Sequence, residues 1–451
     1  MSSHHHPGTP VNTATDVGTT AGVPEVPSRG ASRRMLASTF LGTTIEWYDF
    51  LVYGFLAPVA LDVLFFPRLS PAIGTVAVFG VFAVGFVARP LGGIVFGHLG
   101  DRVGRKPIMI WTMALAGAAT TAMGLLPTFD TIGVLAPVVL VMLRFVQGFA
   151  LGGESAAGPL LAMESAPGHR RGLFAAVVQS GAAGGTVLGA GAVLVIGLLP
   201  RDALLSWGWR LPFLASALIF LVGLYMRVRV AESPVFTRSV AARGTERIPV
   251  LVVLSAHKAA ATRVLFTAVA ESSVFYFTAI FGLSYVTGTL GLSPVLPLLG
   301  IVIGNGIGVL TNPLFGWLSD RTGRRPLLVL AYVLGCAYVL VLFFPLLRTA
   351  DPALVVLAMA IPGAVLQPMS LAVTGSFYPE QFTDARVRLS GTALGRQLGT
   401  VLGGGLLPLV SAALVAATGG LGASLAYFAV LCAGGVVAVL ASRESAHEAL
   451  G

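Results

Sequence analysis

Twelve long apolar runs separated by short polar stretches account for nearly all of the chain between residues 36 and 441. They fall at 36–64, 72–97, 108–126, 133–162, 173–199, 208–229, 263–290, 295–317, 327–347, 353–378, 390–416 and 421–441. A helix of about 20 residues crosses the hydrocarbon core of a bilayer, so each run is long enough to span. The runs group six and six about a polar stretch at 230–262, which carries Arg238, Arg243, Glu246, Arg247 and Lys258. Its second part, from Pro249, reads as an amphipathic helix lying on the membrane surface. The pattern predicts an all-α membrane protein of twelve transmembrane helices in two six-helix bundles, 34–229 and 263–441, joined by that linker. Residues 1–33 are polar and rich in Gly, Pro, Thr and Ser, and read as a disordered N-terminus. No apolar core follows a basic start, so no cleaved signal peptide is expected. Residues 442–451 form a short tail.

One polar motif punctuates both halves. Residues 97–107 read Gly-His-Leu-Gly-Asp-Arg-Val-Gly-Arg-Lys-Pro, and residues 316–326 read Gly-Trp-Leu-Ser-Asp-Arg-Thr-Gly-Arg-Arg-Pro. Gly97 and Gly316 stand 219 positions apart, and Asp101/Asp320, Arg102/Arg321, Gly104/Gly323 and Arg105/Arg324 repeat at the same offset. A polar turn repeated at half-chain spacing implies two copies of one membrane unit, related by an axis along the membrane normal. Glycine allows the tight turn out of a helix, and clustered basic residues hold the turn in the cytoplasm.

Composition narrows the class. Only 10% of residues are charged, where a soluble domain carries about 25%. A net charge of +9 would suit nucleic acid, but the basic residues sit in short loops between apolar runs, and no nucleic-acid partner is expected. Most of them lie on one side, among them Arg33, Arg34, Arg170, Arg171, Arg227, Arg229, Arg386 and Arg388, while Arg68, Arg201, Arg210 and Arg348 lie on the other. That bias places both termini and the linker in the cytoplasm. Cys336 and Cys432 lie inside apolar runs and imply neither a disulfide framework nor a metal site. No nucleophile–base or metal-ligand constellation stands out, so no enzyme activity and no cofactor are expected.

The charges inside the apolar runs carry the chemistry. Even the gentlest scale assigns a charge at the bilayer centre a cost of about 2.5–3.5 kcal/mol, so it persists only beside a wet cavity or a partner. The bases are Arg89, Arg144 and Arg396; the acids are Glu46, Asp49, Glu154 and Glu271. Four acids against three bases leave one carboxyl over, and a carboxyl withdrawn from water is easier to protonate. In the first run Glu46, Asp49 and Tyr53 stand three and four apart on one helical face. In the fourth, Arg144, Gln147 and Gly148 share a face; in the fifth, Gln179 precedes Gly181, Gly184, Gly185 and Gly189, which suit close helix packing. Glu271 lies about eight residues into its run and Arg396 about six into its own, so at about 1.5 Å per residue their depths differ by about 3 Å. They are expected to pair, or to bracket one substrate, on the cavity side of the second bundle.

These residues resemble the major facilitator superfamily. The repeated Gly-x3-Asp-Arg-x-Gly-Arg-Arg/Lys is similar to its loop between helices 2 and 3 and between helices 8 and 9. Arg144-x-x-Gln147-Gly148 is similar to its helix 4 motif. Within that superfamily the chain resembles the metabolite:proton symporters, through Glu46-Trp47-Tyr48-Asp49-Phe50, Arg89-Pro90-Leu-Gly92-Gly93, Gly152-Gly153-Glu154, Trp207-Gly208-Trp209-Arg210-Leu-Pro212-Phe213 and Glu232-Ser233-Pro234-x-Phe236. The resemblance implies the major facilitator fold and proton-coupled import of a small organic anion, or alternatively of a zwitterionic osmolyte such as proline or betaine. Arg89, Tyr53, Gln179, Glu271 and Arg396 are then the expected substrate-binding set, and Glu46, Asp49, Arg144 and Glu154 the proton-coupling set. Gly97, Asp101, Arg102, Gly104, Arg105, Asp320, Arg321 and Arg324 would form the cytoplasmic gate. Glu271 and Arg396 depart from the family pattern, which expects small or neutral polar residues there. The implied setting is a bacterial inner membrane, with the protein acting as a monomer on a metabolite and a proton.

Overall fold

The computed structural model describes residues 29–103, 105–153, 157–229, 253, 255–446 and 448, together with Ser2. Within these, the side chains of residues 29–34, 100–102, 105–106, 157–158, 161, 224–229 and 385–386 are outside the description. Gly104, Glu154 and the linker from 230 to 252 therefore lie outside the described residues, as do the side chains of Asp101, Arg102 and Arg105. The surface helix expected from Pro249 falls largely in that gap.

The described residues form helices and no strand. The spanning helices are α1 (Met35–Phe65), α2 (Pro71–Leu99), α3 (Pro107–Leu125), α4 (Leu135–Leu151), α5 (Gly168–Gly197), α6 (Arg210–Arg229), α7 (Lys258–Thr289), α8 (Val295–Thr322), α9 (Arg324–Arg348), α10 (Pro352–Glu380), α11 (Val387–Thr418) and α12 (Gly422–Leu440). Each predicted run has its helix. Two runs are broken. The fourth stops at Leu151, before Gly152-Gly153, and resumes as the short helix Ala157–Glu164. The sixth bends by 43° between Arg201–Gly208 and Arg210–Gly223, where Trp209 is buried edge-on against Phe65. α7 begins at Lys258, inside the stretch predicted as linker, and Arg263 near its start donates to the carbonyls of Ala259 and Ala441 at 3.1 Å.

Local chemistry sets the helix ends. Asp351 caps α10, its carboxylate accepting from the N–H groups of Ala353 and Leu354 at 3.0 Å, and Pro352 fills the first helical position. Gly419, with φ of +69°, ends α11 in the left-handed conformation. Large apolar residues such as Leu218, Leu310 and Val430 stay exposed on the flanks, as the outer surface of a bundle solvated by lipid requires.

The two bundles repeat one packing scheme. In the first, Gly148 of α4 and Gly152 just past its end press against the backbone of α2, where a Cβ on either would collide with the carbonyl oxygens of Gly85 and Arg89 respectively. In the second, Gly300 and Gly304 of α8 meet the carbonyls of Val356 and Ala360 on α10 in the same way. The seam between α1 and α5 (Gly181, Gly185) likewise recurs between α7 and α11 (Gly399, Gly403). Small residues are what let helices approach in lipid, where no hydrophobic force drives them together. Across the molecule the bundles meet chiefly through α5 against α8 and α2 against α11. An even number of spans separates the two copies of the polar motif, so both emerge at the same end, here called the signature-loop end.

Candidate functional site

Between the bundles lies a narrow cleft lined by Glu46 and Trp47 of α1, Arg89 of α2, Glu271, Ser272, Phe275 and Tyr276 of α7, and Arg396, Gln397 and Thr400 of α11. Two guanidinium groups and two carboxylates thus converge from four helices. Glu271 is 4% exposed and lies within electrostatic reach of Arg396; Arg89 lies within reach of Glu46, Tyr276 and Arg396. A layer of aromatic rings covers the charges on the side away from the signature loops. Phe86 and Tyr276 meet edge-to-face at 5.2 Å, and Trp47 meets Phe275 at 5.8 Å. That layer keeps the charged groups in a low-dielectric setting, where their fields are strong.

Arg144 sits behind this cleft, fully buried. Its guanidinium donates to the Gln147 side-chain oxygen. The Gln147 amide in turn donates to the Asp49 carbonyl at 2.8 Å and to the Thr120 hydroxyl at 2.6 Å. The helix 4 motif therefore ties α4 to α1 and α3. The guanidinium carbon of Arg144 lies 4.4 Å from the Tyr53 ring centre and 4.6 Å from that of Phe50. Arg89 lies 3.9 Å from the same Phe50 ring. One aromatic ring thus serves two cations, and each contact stabilises a charge with little water around it.

A second, smaller cleft adjoins the first and shares Arg396 with it. Gln179 of α5, Thr374, Gly375, Tyr378 and Pro379 of α10, Thr392 of α11, and Pro159 and Leu160 complete its lining. Thr392 lies one turn nearer the signature-loop end than Arg396, and Pro379 immediately precedes the gate residue described next.

The signature-loop end is closed by a charged network. Asp320 accepts from the N–H groups of Gly172 and Leu173 at 2.8 and 2.9 Å, so its carboxylate caps the N-terminal turn of α5 in the other bundle. Arg324, fully buried, pairs with Asp320 at 2.8 Å and with Glu380 at 3.4 Å; Arg171 reaches Glu380 at 3.9 Å. The tail extends the network. Glu444 accepts from the N–H groups of Arg324 and Arg325 at 2.9 and 3.0 Å, the Ser445 hydroxyl donates to Glu380 at 2.7 Å, and Arg171 donates to the Glu448 carbonyl at 3.0 Å. Burial raises the pKa of Glu444, but the N–H groups of Arg324, Arg325, Ala446 and Ser445 outweigh it and leave the carboxyl below its ordinary value. The two motif copies are not in equal states. Gly316 is pressed against Gly172 and Ala176 of α5, while Gly97 has no neighbour within 4 Å among the described residues. At this end the α5–α8 seam is shut.

Of the residues singled out from sequence, Arg89, Glu271, Arg396 and Glu46 come together in the main cleft, and Gln179 lines the adjoining one. Tyr53 lines neither; it is fully buried against Arg144, with its hydroxyl donating to the Val78 carbonyl at 3.2 Å. Asp49 is buried one turn beyond Glu46 on α1. Asp320 and Arg324 form the closed network, whereas Arg321 is exposed and stacks on Trp317 at 4.0 Å. Sequence reasoning missed Tyr276, Thr392 and Thr400 in the clefts and Arg171, Glu380 and Glu444 at the gate. Thr392, Arg396 and Thr400 did carry a signal, a polar residue every fourth position on one face of an apolar helix. Glu380 and Glu444 carried none, because acids at the ends of spans read as ordinary loop residues.

Comparison with known proteins agrees with this geometry. A family model described as Major Facilitator Superfamily matches residues 39–395. The shikimate transporter of Escherichia coli is 38% identical over 392 residues, covering 86% of this chain and 89% of its own. The glycine betaine/proline/ectoine/pipecolic acid transporter OusA of Dickeya dadantii is 32% identical over 434 residues, covering 93% and 85%. Among solved structures, the D-xylose-proton symporter superposes with a TM-score of 0.70 at 19% identity, covering 92% of this chain and 97% of that one.

Proposed function

Since the chain belongs to the Major Facilitator Superfamily and is a multi-pass membrane transporter rather than an enzyme, we propose that it imports a small organic anion together with a proton by alternating access. The carrying observation is the main cleft, where Arg89 and Arg396 face Glu46 and Glu271 between the two bundles. Guanidinium binds carboxylate in a two-point fork, which suits both arginines to an organic acid. The four groups balance when the cleft is empty. A bound carboxylate adds one negative charge to a poorly hydrated site, and a proton taken up by Glu271 or Glu46 restores the balance. Charge neutrality then couples the two cargoes. Glu271, opposite Arg396, is the carboxylate that an incoming anion would displace. Asp49 and Arg144 support the proton step from behind the cleft, Arg144 through the Phe50 ring that it shares with Arg89.

Alternating access would run on the gate. With Asp320 bound to the α5 N-terminus and Arg171 on Glu380, the signature-loop end is shut; opening it requires those contacts to part as the bundles rock. By the basic-residue bias that end faces the cytoplasm of a bacterial cell, with both termini beside it.

A second reading, symport of a zwitterionic osmolyte, is favoured by Trp47, Phe275 and Tyr276 lying beside Glu271 and Glu46, since aromatic faces and carboxylates together hold quaternary ammonium groups. Uptake of radiolabelled organic acids, proline and betaine into cells expressing the protein, with and without an uncoupler, separates the readings. Accumulation of an acid that the uncoupler abolishes supports the first. Accumulation of betaine or proline alone supports the second.

A further inference from the structure

We infer that Cys336 and Cys432 form an oxidisable thiol pair, which a lipid-soluble oxidant of the quinone class converts to a disulfide, stapling α9 to α12 behind the helix that carries Glu271. The chain has two cysteines. They stand on different helices, both are free thiols, and their side chains lie within hydrogen-bonding reach of each other across the α9–α12 seam. Neither lines a cleft, so the transport site described above makes no use of them.

Their location selects the oxidant. At 1.5 Å per residue Cys336 lies about 18 Å along α9 from Arg324, well within a hydrocarbon layer about 30 Å thick. Cys432 is 1% exposed, whereas Cys336 is half-buried, with Val333 and Leu340 exposed on the outer flank one turn to either side. The way to the pair therefore leads through lipid. An apolar oxidant dissolved in the bilayer reaches Cys336; a charged one does not, and neither do the aqueous thiol reductants that keep cytoplasmic cysteines reduced. In the reaction two S–H bonds break and one S–S bond forms. The two electrons and two protons released pass to the quinone oxygens, leaving a hydroquinone, so no further reactant is needed.

The staple would act on α7. Gly335, next to Cys336, faces Val274, where a Cβ would stand 3.1 Å from that side chain; Gly435, one turn beyond Cys432, is pressed against Ala270. Ala270 and Val274 bracket Glu271 in the sequence. Tyr332, one turn before Cys336, donates to the Thr267 carbonyl at 3.0 Å and lies within electrostatic reach of both Glu271 and Cys432. Arg325 already ties the signature-loop ends of α9 and α12, donating to the carbonyls of Val439 and Leu440 at 3.2 and 2.6 Å. A disulfide draws its sulfurs to about 2.0 Å and adds a second tie deeper in the bilayer, so that the two helices grip α7 from behind at the level of Glu271.

The test treats purified protein in lipid nanodiscs with duroquinone, whose fully methylated ring oxidises thiols without alkylating them, or with the charged oxidant ferricyanide. Thiols are then counted by tagging the denatured protein with maleimide–polyethylene glycol, and Tm is measured on a parallel sample. The expected result is two tags before duroquinone and none after it, both restored by dithiothreitol once the protein is denatured, with ferricyanide leaving two. Cys336→Ala and Cys432→Ala should each keep one tag throughout. Closing a loop of about 100 residues constrains the unfolded chain, so oxidised wild type should gain several degrees in Tm and neither variant any. Each comparison is made within one protein with and without oxidant, so a variant's own loss of stability does not imitate the result. Two tags surviving duroquinone, or a single-cysteine variant losing its tag, overturns the thiol pair. Equal oxidation by ferricyanide overturns the lipid route, and a disulfide that leaves Tm unchanged overturns the staple.

Discussion

Arg89 is where the chemistry of a single side chain decides most. Its guanidinium lies in the main cleft and against Phe50, so its planar shape meets the ring and, in the proposed site, would also serve a substrate fork. Arg89→Lys keeps the charge and loses both geometries. The expected outcome is a rise of about tenfold or more in the KM for an organic acid, read from the concentration dependence of initial uptake; an unchanged KM in Arg89→Ala would remove the residue from the site. Glu271 and Arg396 line the same cleft within electrostatic reach of each other, and their proposed pairing is tested at the same scale. If they balance each other in the empty cleft, Glu271→Gln lowers uptake by about tenfold or more, and adding Arg396→Gln restores part of it. If they bracket a zwitterion, the double variant is inactive. Breaking one member of a buried pair costs about 3–5 kcal/mol, which makes the rescue large enough to measure.

At the scale of elements, the glycine seams fix how closely the helices stand. Gly148 packs on the Gly85 carbonyl, so Gly148→Ala forces α4 off α2. Overpacking of this kind costs about 1–3 kcal/mol, and a fall in Tm of the purified protein by several degrees is expected. A wild-type Tm in the variant would contradict the seam. The tail is a second element with a measurable contribution. Glu444 is held below its ordinary pKa by the N–H groups at the start of α9 and in its own turn. A depressed carboxyl stabilises the fold at pH values above the unfolded value near 4.5, and that contribution is lost as pH falls through the folded value. The Tm difference between wild type and Glu444→Gln should thus be largest near pH 7 and close at acid pH; a difference independent of pH would contradict the charge-based cap. The helices themselves were legible in the sequence because lipid demands an apolar run for every span. The break after Leu151 and the bend at Trp209 were not, since an apolar run shows that a span exists but not where its axis changes direction. The four charges of the main cleft were legible for the opposite reason: each interrupts an apolar run at a cost that only a cavity or a partner offsets. Tyr53 misled because it shares a face with Glu46 and Asp49, yet its ring turns to Arg144 one layer behind. Glu380 stayed hidden because its partners, Arg171 and Arg324, come from distant helices that the chain order does not bring together.

For the whole molecule, the closed network at one end and the charged cleft at the centre fit the proposal of a carrier whose two bundles rock about a shared site. The Asp320 carboxylate on the α5 N-terminus and the Arg171–Glu380 contact join the bundles where the path to the signature-loop side would open. On the proposed reading the cleft sets the condition for rocking: a carboxylate entering among Arg89, Arg396, Glu46 and Glu271 would require a compensating proton. The most direct measurement is accumulation of a radiolabelled organic acid in proteoliposomes holding the purified protein, with the membrane potential clamped and a pH gradient imposed. Proton-coupled symport predicts accumulation above the external concentration when the outside is acidic, and collapse of that excess when the gradient is dissipated. Entry that stops at equal concentrations inside and out, whatever the gradient, would contradict the account.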